Sequence, residues 1–106
     1  ERGIERVLVV APASVKYQWE SEIRKYTRRD VQVIDGGTGR RRAQYARPTF
    51  YRLINYEIAI RDRDELNAWQ PDLIVLDEAQ RIKNWESKTS RAVKRLRSRY
   101  ALVLTG

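Results

Sequence analysis

Residues 73–84 read LIVLDEAQRIKN. Four apolar side chains run without a break into two carboxylates, Asp77 and Glu78. An unbroken apolar run this short fits a strand buried on both faces, which is the habit of parallel sheets. The two acids then fall at the carboxyl end of that strand. In open sheets with helices on their faces, ligands bind beyond the carboxyl ends of the strands. The stretch therefore predicts both a fold class and a place for chemistry.

The rest of the chain agrees with that fold class. Val7–Ala11 (VLVVA) is another continuous β-branched run, closed by Pro12. Ser14 is placed to cap a helix whose apolar stripe is Val15, Trp19, Ile23 and Tyr26. Residues 31–34 (VQVI) alternate, which suits the edge of a sheet better than its centre. Gly36, Gly37 and Gly39 make a turn into a short helix over 40–45, and 50–56 (FYRLINY) is a third strand. An amphipathic helix over 58–69 stops before Pro71. Asn84 can cap a helix over about 85–98, and 100–104 (YALVL) reads as a further buried strand. Strand and helix alternate with short connections, which predicts an α/β fold: a three-layer parallel sheet with helices on both faces. No internal repeat or linker divides the 106 residues into two domains.

Composition narrows the chemistry. The chain has no Cys and no His, which removes disulfides, thiolate zinc sites, the commonest metal ligand and the usual general base at neutral pH. Lys plus Arg is 22 against 14 acids, a net charge of +8 that favours a polyanionic partner, nucleic acid before anionic lipid. No apolar run is long enough to span a bilayer, and charges at Glu1, Arg2, Glu5 and Arg6 interrupt any leader-like stretch. With hard oxygen donors as the remaining option, adjacent carboxylates at a strand end suit a phosphate–magnesium site. Asp77 can hold the metal, directly or through water, and Glu78 can take a proton from, or orient, a water attacking a terminal phosphate. The plainer alternative is two solvated acids in a strand-to-helix turn, favoured by the dipole of the next helix.

Four segments in order tip that balance. LIVLDEAQRIKN resembles motif II of the superfamily 2 helicases, here a DEAQ box, and its continuation through SKTSRAVKRL to YALVLTG resembles the Swi/Snf-type branch. VLVVAPASVKYQWESEI is similar to that family's motif Ia, YRLINYE to its next nucleic-acid-contacting motif, and the closing LTG to the start of motif III. The resemblance implies a RecA-like lobe of an ATP-driven motor that moves along double-stranded DNA without regard to sequence and remodels protein–DNA complexes, with ATP and Mg2+ as cofactors. It implies the magnesium role for Asp77 and the catalytic-base role for Glu78. Gln80, where the family more often has His, would couple phosphate state to a second RecA-like lobe. Pro12, Ser14 and Lys16 would lie near the phosphates of one DNA strand, and Asn55, Tyr56 and Glu57 in the second such motif. Thr105, Gly106, Arg81 and Lys83 would link hydrolysis to DNA. Such a protein works in the cytoplasm or nucleoid of a bacterium, or in the nucleus of a eukaryote.

The departures from the family pattern also carry expectations. The 106 residues contain no GKT or GKS, and the GGTG at 36–39 is not followed by Lys-Ser/Thr, so it is a turn rather than a nucleotide cradle. With no initiator Met, the chain reads as an internal piece of the first lobe. The phosphate loop is expected before residue 1 and the second lobe after residue 106. The piece alone is expected to be inactive, with 100–104 an exposed sheet edge prone to self-association. Arg40–Arg42 reads as a solvated loop, Trp19, Tyr26 and Trp69 as core, and Lys88, Arg91 and Arg95 as the solvated face of a helix; Trp85 stands where the family often has Pro. The competing functional class is a non-enzymatic basic α/β module that binds nucleic acid or a partner protein.

Overall fold

The computed structural model describes residues 3–78 and 98–104. Among them five strands form one all-parallel sheet: β1 (Val7–Ala11), β2 (Val31–Val33), β3 (Tyr51–Asn55), β4 (Leu73–Asp77) and β5 (Tyr100–Leu104), in the spatial order β2-β3-β1-β4-β5. Two of the continuous apolar runs, β1 and β4, take inner positions, and all five residues of β1 are buried. The alternating VQV is an edge strand, as its pattern requires.

Alternate residues of the strands supply two cores. One face holds Leu8, Val10, Ile54 and Ile74 and is covered by Tyr56, Ala59 and Leu66. These come from α3 (Tyr56–Arg61) and α4 (Arg63–Trp69), with Tyr45 of α2 (Thr38–Tyr45) packed alongside. The other face holds Val7, Val9, Leu53 and Val75 and is covered by Ile23 and Trp19 of α1 (Lys16–Tyr26). Helices on both faces make the three layers.

Several local expectations change. The helix expected over 58–69 is two helices broken at Asp62. The Asp62 carboxylate accepts Arg41 Nε at 2.8 Å and the Tyr45 hydroxyl at 2.6 Å, so the break is pinned from α2. Arg40–Arg42 is therefore not a loop: it lies in α2, which contains the short helix expected over 40–45, with Arg41 buried and Arg40 and Arg42 exposed. Ser14 does not cap α1. It sits in a 3-10 turn, Ala13–Val15, closed by Val15 N–H donating to the Pro12 carbonyl at 3.0 Å. Tyr26 is not core; at the last residue of α1 it is 79% exposed, and its hydroxyl can stay in water. Trp69 is half-buried, and the Arg52 guanidinium lies 4.2 Å from its ring centre. Gly36 adopts φ +87 in the turn before α2, a conformation open to glycine at little cost. At the other edge, among the described residues, β5 leaves Tyr100 and Leu102 about half exposed, in line with the exposed edge expected for 100–104. The helix expected over 85–98, with Lys88, Arg91, Arg95 and Trp85, lies outside the described residues apart from Ser98.

Candidate functional site

Register brings the chemistry to one line. Val10 stands opposite Ile54 on one side and Leu76 on the other, and Leu76 opposite Val103. One step further, Ala11 faces Asn55 and Asp77 faces Leu104. The four central and right-hand strands thus end in a common row, and the segments that follow them share one edge of the sheet. Pro12 and Ser14 leave β1 there, Tyr56 and Glu57 leave β3, and Glu78 leaves β4. Gln80, Arg81, Lys83, Thr105 and Gly106 lie outside the described residues.

Asp77 is held at this edge from both faces of the sheet. Trp19 Nε1–H of α1 donates to Asp77 Oδ2 at 2.8 Å. From the other face the Tyr56 hydroxyl donates to the Asp77 carbonyl at 2.8 Å. Burial, followed by the nearby charges of Asp77 and Glu78, pushes the Tyr56 phenol well above its ordinary value, so it remains a donor. Glu78 turns the chain at φ +52, a region that non-glycine residues rarely enter, while its N–H donates to Leu104 O at 3.0 Å. Backbone held this way clusters at functional sites, where the surroundings over-determine it. Val15, Gln18, Trp19, Glu22, Asp77 and Glu78 line an open cleft of about 370 Å3.

The donor set limits which metal could sit here. Among the described residues no three His, Cys, Asp or Glu side chains converge as a ready-made cage. One or two carboxylates completed by water and phosphate oxygens are what Mg2+ prefers, whereas Ca2+ and Zn2+ want more protein ligands. Asp77 and Glu78 fit Mg2+ on those terms.

Lys16, expected by resemblance near the DNA phosphates, is a buried lysine at the start of α1. It is 5% exposed, and its ammonium donates to Ile34 O at 2.9 Å and to Asn55 Oδ1 at 3.1 Å. Burial lowers its pKa, against the pull of Asp35. Lys16 and Asn55 thus tie the start of α1 to the end of β3 instead of facing solvent. Pro12 is half-buried, and Ser14 and Glu57 are exposed. Sequence reasoning missed both tethers on Asp77. The helical stripe pointed Trp19 at the sheet, but nothing in the spacing named the acceptor of its N–H.

The family model for the SNF2-related domain matches residues 1–106. Transcription termination factor 2 of Drosophila melanogaster is 36% identical over 93% of this chain and 10% of its own length. The ISWI chromatin-remodeling complex ATPase ISW1 of Saccharomyces cerevisiae is 33% identical over 99% of this chain and 10% of its own. The chain thus spans about a tenth of the length of these relatives. Among solved structures, the Sulfolobus solfataricus SWI2/SNF2 ATPase core in complex with dsDNA superposes with a TM-score of 0.84 at 33% identity, over 99% of this chain and 22% of that one.

Proposed function

Because this chain belongs to the SNF2-related domain family, matched along its whole length, we propose that it is part of the first lobe of an ATP-hydrolysing motor that tracks double-stranded DNA. The observation that carries this reading is the common row of strand ends, which sets Asp77 and Glu78 on the same edge as the turn after β1 and the start of α3. Asp77 holds Mg2+, directly or through a water, with a carboxylate already oriented by the fold. Glu78 orients the attacking water and accepts its proton on the side-chain carboxylate. When bound, the metal neutralises charge on the phosphate oxygens. Pro12 and Ser14 run near one strand's phosphates, with the Lys16–Asn55 pair fixing that turn from beneath. Tyr56 belongs to the same DNA side of the edge. Gln80, Arg81, Lys83, Thr105 and Gly106 carry the coupling roles that family resemblance assigns them, toward DNA and toward a second lobe. Support comes from the relatives named above and from the neighbouring structure, whose ATPase core is complexed with dsDNA.

The 106 residues hold no GKT or GKS, so by themselves they are proposed to be inactive: phosphoryl transfer depends on positioning, and the motif that would cradle the phosphates is not in this sequence. The test belongs in the full-length protein. Glu78→Gln should lower DNA-stimulated hydrolysis by about 10²- to 10⁴-fold, the usual contribution of a positioned base. ATP binding should persist, because the base acts in the transition state. Near-wild-type turnover in that variant would remove Glu78 from the base role.

A further inference from the structure

The two hydrogen bonds on Asp77 differ in what the fold needs from them. Alternate residues of β1 face β3 and β4, and Val7 N–H donates to Phe50 O on the β3 side. Leu8, Val10 and Pro12 therefore face β4. Continuing the β1–β4 register by one step puts Ala11 opposite Asp77, so the next N–H due to the Asp77 carbonyl is that of residue 12. Residue 12 is proline and has none. The Tyr56 hydroxyl supplies the missing donor at 2.8 Å. That bond completes the ladder and also fixes where the backbone of Asp77 stops.

No such vacancy calls for the Trp19 bond. It falls on the side chain, and an indole can only donate, so it commits Oδ2 as acceptor and sets the rotation of the carboxylate. Oδ1 accepts no hydrogen bond among the described residues. The carboxylate therefore meets the open cleft with one oxygen engaged and the other presented.

We propose that Trp19 is a positioning residue for the metal-holding carboxylate of Asp77, with the Tyr56 hydroxyl fixing the backbone behind it. The inference rests on the metal role proposed above for Asp77. It also gives that acid a mechanical link to the DNA side of the sheet. Trp19 rides on α1, directly after the turn containing Pro12 and Ser14, and Tyr56 opens α3 directly after Asn55. A displacement of either segment on DNA would reach the carboxylate through a single hydrogen bond.

The test is a Mg2+ titration of the binding of a fluorescent ATP analogue to the full-length protein, which needs no turnover. Trp19→Phe keeps an aromatic ring against the core and deletes the donor together with part of the ring's volume. It should raise the Mg2+ concentration for half-maximal binding about tenfold, the lower end of what losing an outer-shell partner costs. Saturating Mg2+ should restore wild-type nucleotide affinity, a pattern that general loosening of the core would not give. Tyr56→Phe should raise the same midpoint about threefold, because it acts through the backbone and not on the carboxylate itself. Asp77→Asn serves as the reference. If Asp77→Asn shifts the midpoint and Trp19→Phe does not, Trp19 only packs, and the positioning proposal is overturned while the metal reading stands. If Asp77→Asn itself leaves the midpoint unchanged, the metal reading fails first. Should Trp19→Phe not fold, an unshifted midpoint in Tyr56→Phe overturns the two-sided clamp.

Discussion

Asp72 and Asp77 bracket the same strand, and the fold treats them in opposite ways. Asp72, just before β4, is 7% exposed. Its Oδ2 accepts the backbone N–H groups of Glu5 at 2.8 Å and Arg6 at 3.1 Å, and Arg6 Nη2 lies 3.8 Å from Oδ1. Its own N–H donates to Arg6 O, and its carbonyl accepts Tyr100 N–H. The Glu5 N–H above all, then the Arg6 N–H and guanidinium, hold its carboxyl below the usual range against the effect of burial. Asp72 is an acid consumed by structure: it stitches the start of β4 to the start of β1. Asp77, five residues on, has one side-chain donor among the described residues and faces a cleft. Both are aspartates at a strand terminus, and the difference lies in how many donors the fold has already aimed at them. A carboxylate with its lone pairs committed can only hold the chain together, whereas one left partly open can take a ligand.

The largest effect should come from exchanging each acid for its amide in the full-length protein. Asp77→Asn should cut hydrolysis by about 10²-fold or more, by weakening both the metal and the orientation of the phosphates. Asp72→Asn should leave turnover per folded molecule near wild type and lower stability instead. The pH dependence separates the two further. The folded pKa of Asp72 is depressed, so its contribution to stability is fully present above the unfolded value of about 3.9 and is lost as pH falls through the lower folded value. Urea midpoints of wild type and Asp72→Asn should therefore differ at neutral pH and converge in acid. A constant gap across that range, or a turnover defect in Asp72→Asn that matches Asp77→Asn, would break the contrast.

That contrast was half legible in the sequence. The Asp77–Glu78 pair announces itself because it follows an unbroken apolar run at the strand end where parallel sheets bind ligands. Asp72 follows Pro71 and reads as an ordinary turn residue; its partners are more than sixty positions away. The sheet was legible for the same reason as Asp77: parallel strands declare themselves by continuous hydrophobicity, and the alternating VQV declared an edge. What stayed hidden depends on partners from distant segments. The break at Asp62 is set by Arg41 and Tyr45 from α2. Nothing in the sequence around Lys16 announces its burial, which the arrival of Asn55 Oδ1 and Ile34 O makes tolerable. Trp19 and Tyr56 each carry one polar hydrogen, and sequence spacing cannot say which acceptor it meets.

A middle-sized effect should distinguish the two ends of the sheet in DNA binding. Ser14 is exposed at the carboxyl end. Ala68 is exposed beside the groove at the opposite end, which Arg6, Pro71 and Asp72 also line. Ser14→Glu and Ala68→Glu change net charge equally, so any difference between them reports place and not total charge. Ser14→Glu should weaken binding to unrelated duplexes about fivefold at moderate salt and flatten the salt dependence, since phosphate contacts act through counterion release. Ala68→Glu should leave both near wild type. Equal losses in the two variants would mean that the +8 charge binds DNA diffusely and that the carboxyl edge has no special part in it.

The smallest effect concerns the strand that both ends of β4 help to hold. Tyr100 N–H donates to Asp72 O at one end, and Leu104 O accepts Glu78 N–H at the other. Residues 100, 102 and 104 thus turn their backbone groups toward β4, so the N–H of Ala101 points to the outer side of the sheet. Among the described residues β5 is the last strand in the order, and Leu102 is 49% exposed on it. An apolar strand with a row of outward backbone groups is a template for another strand. The 106-residue chain studied alone is therefore expected to self-associate weakly through β5. Leu102→Lys should weaken that association about threefold by placing a charge on the pairing surface, and sedimentation at several concentrations measures it. Hydrogen exchange gives the finer reading. In a dilute monomer the Ala101 amide should exchange freely, while Leu102, facing β4, stays protected; on association Ala101 should gain protection and Leu102 should change little. Strong protection of Ala101 in a demonstrated monomer would mean that the outer side of β5 is already covered, and that its hold on the sheet does not rest on the Asp72 and Glu78 bonds alone.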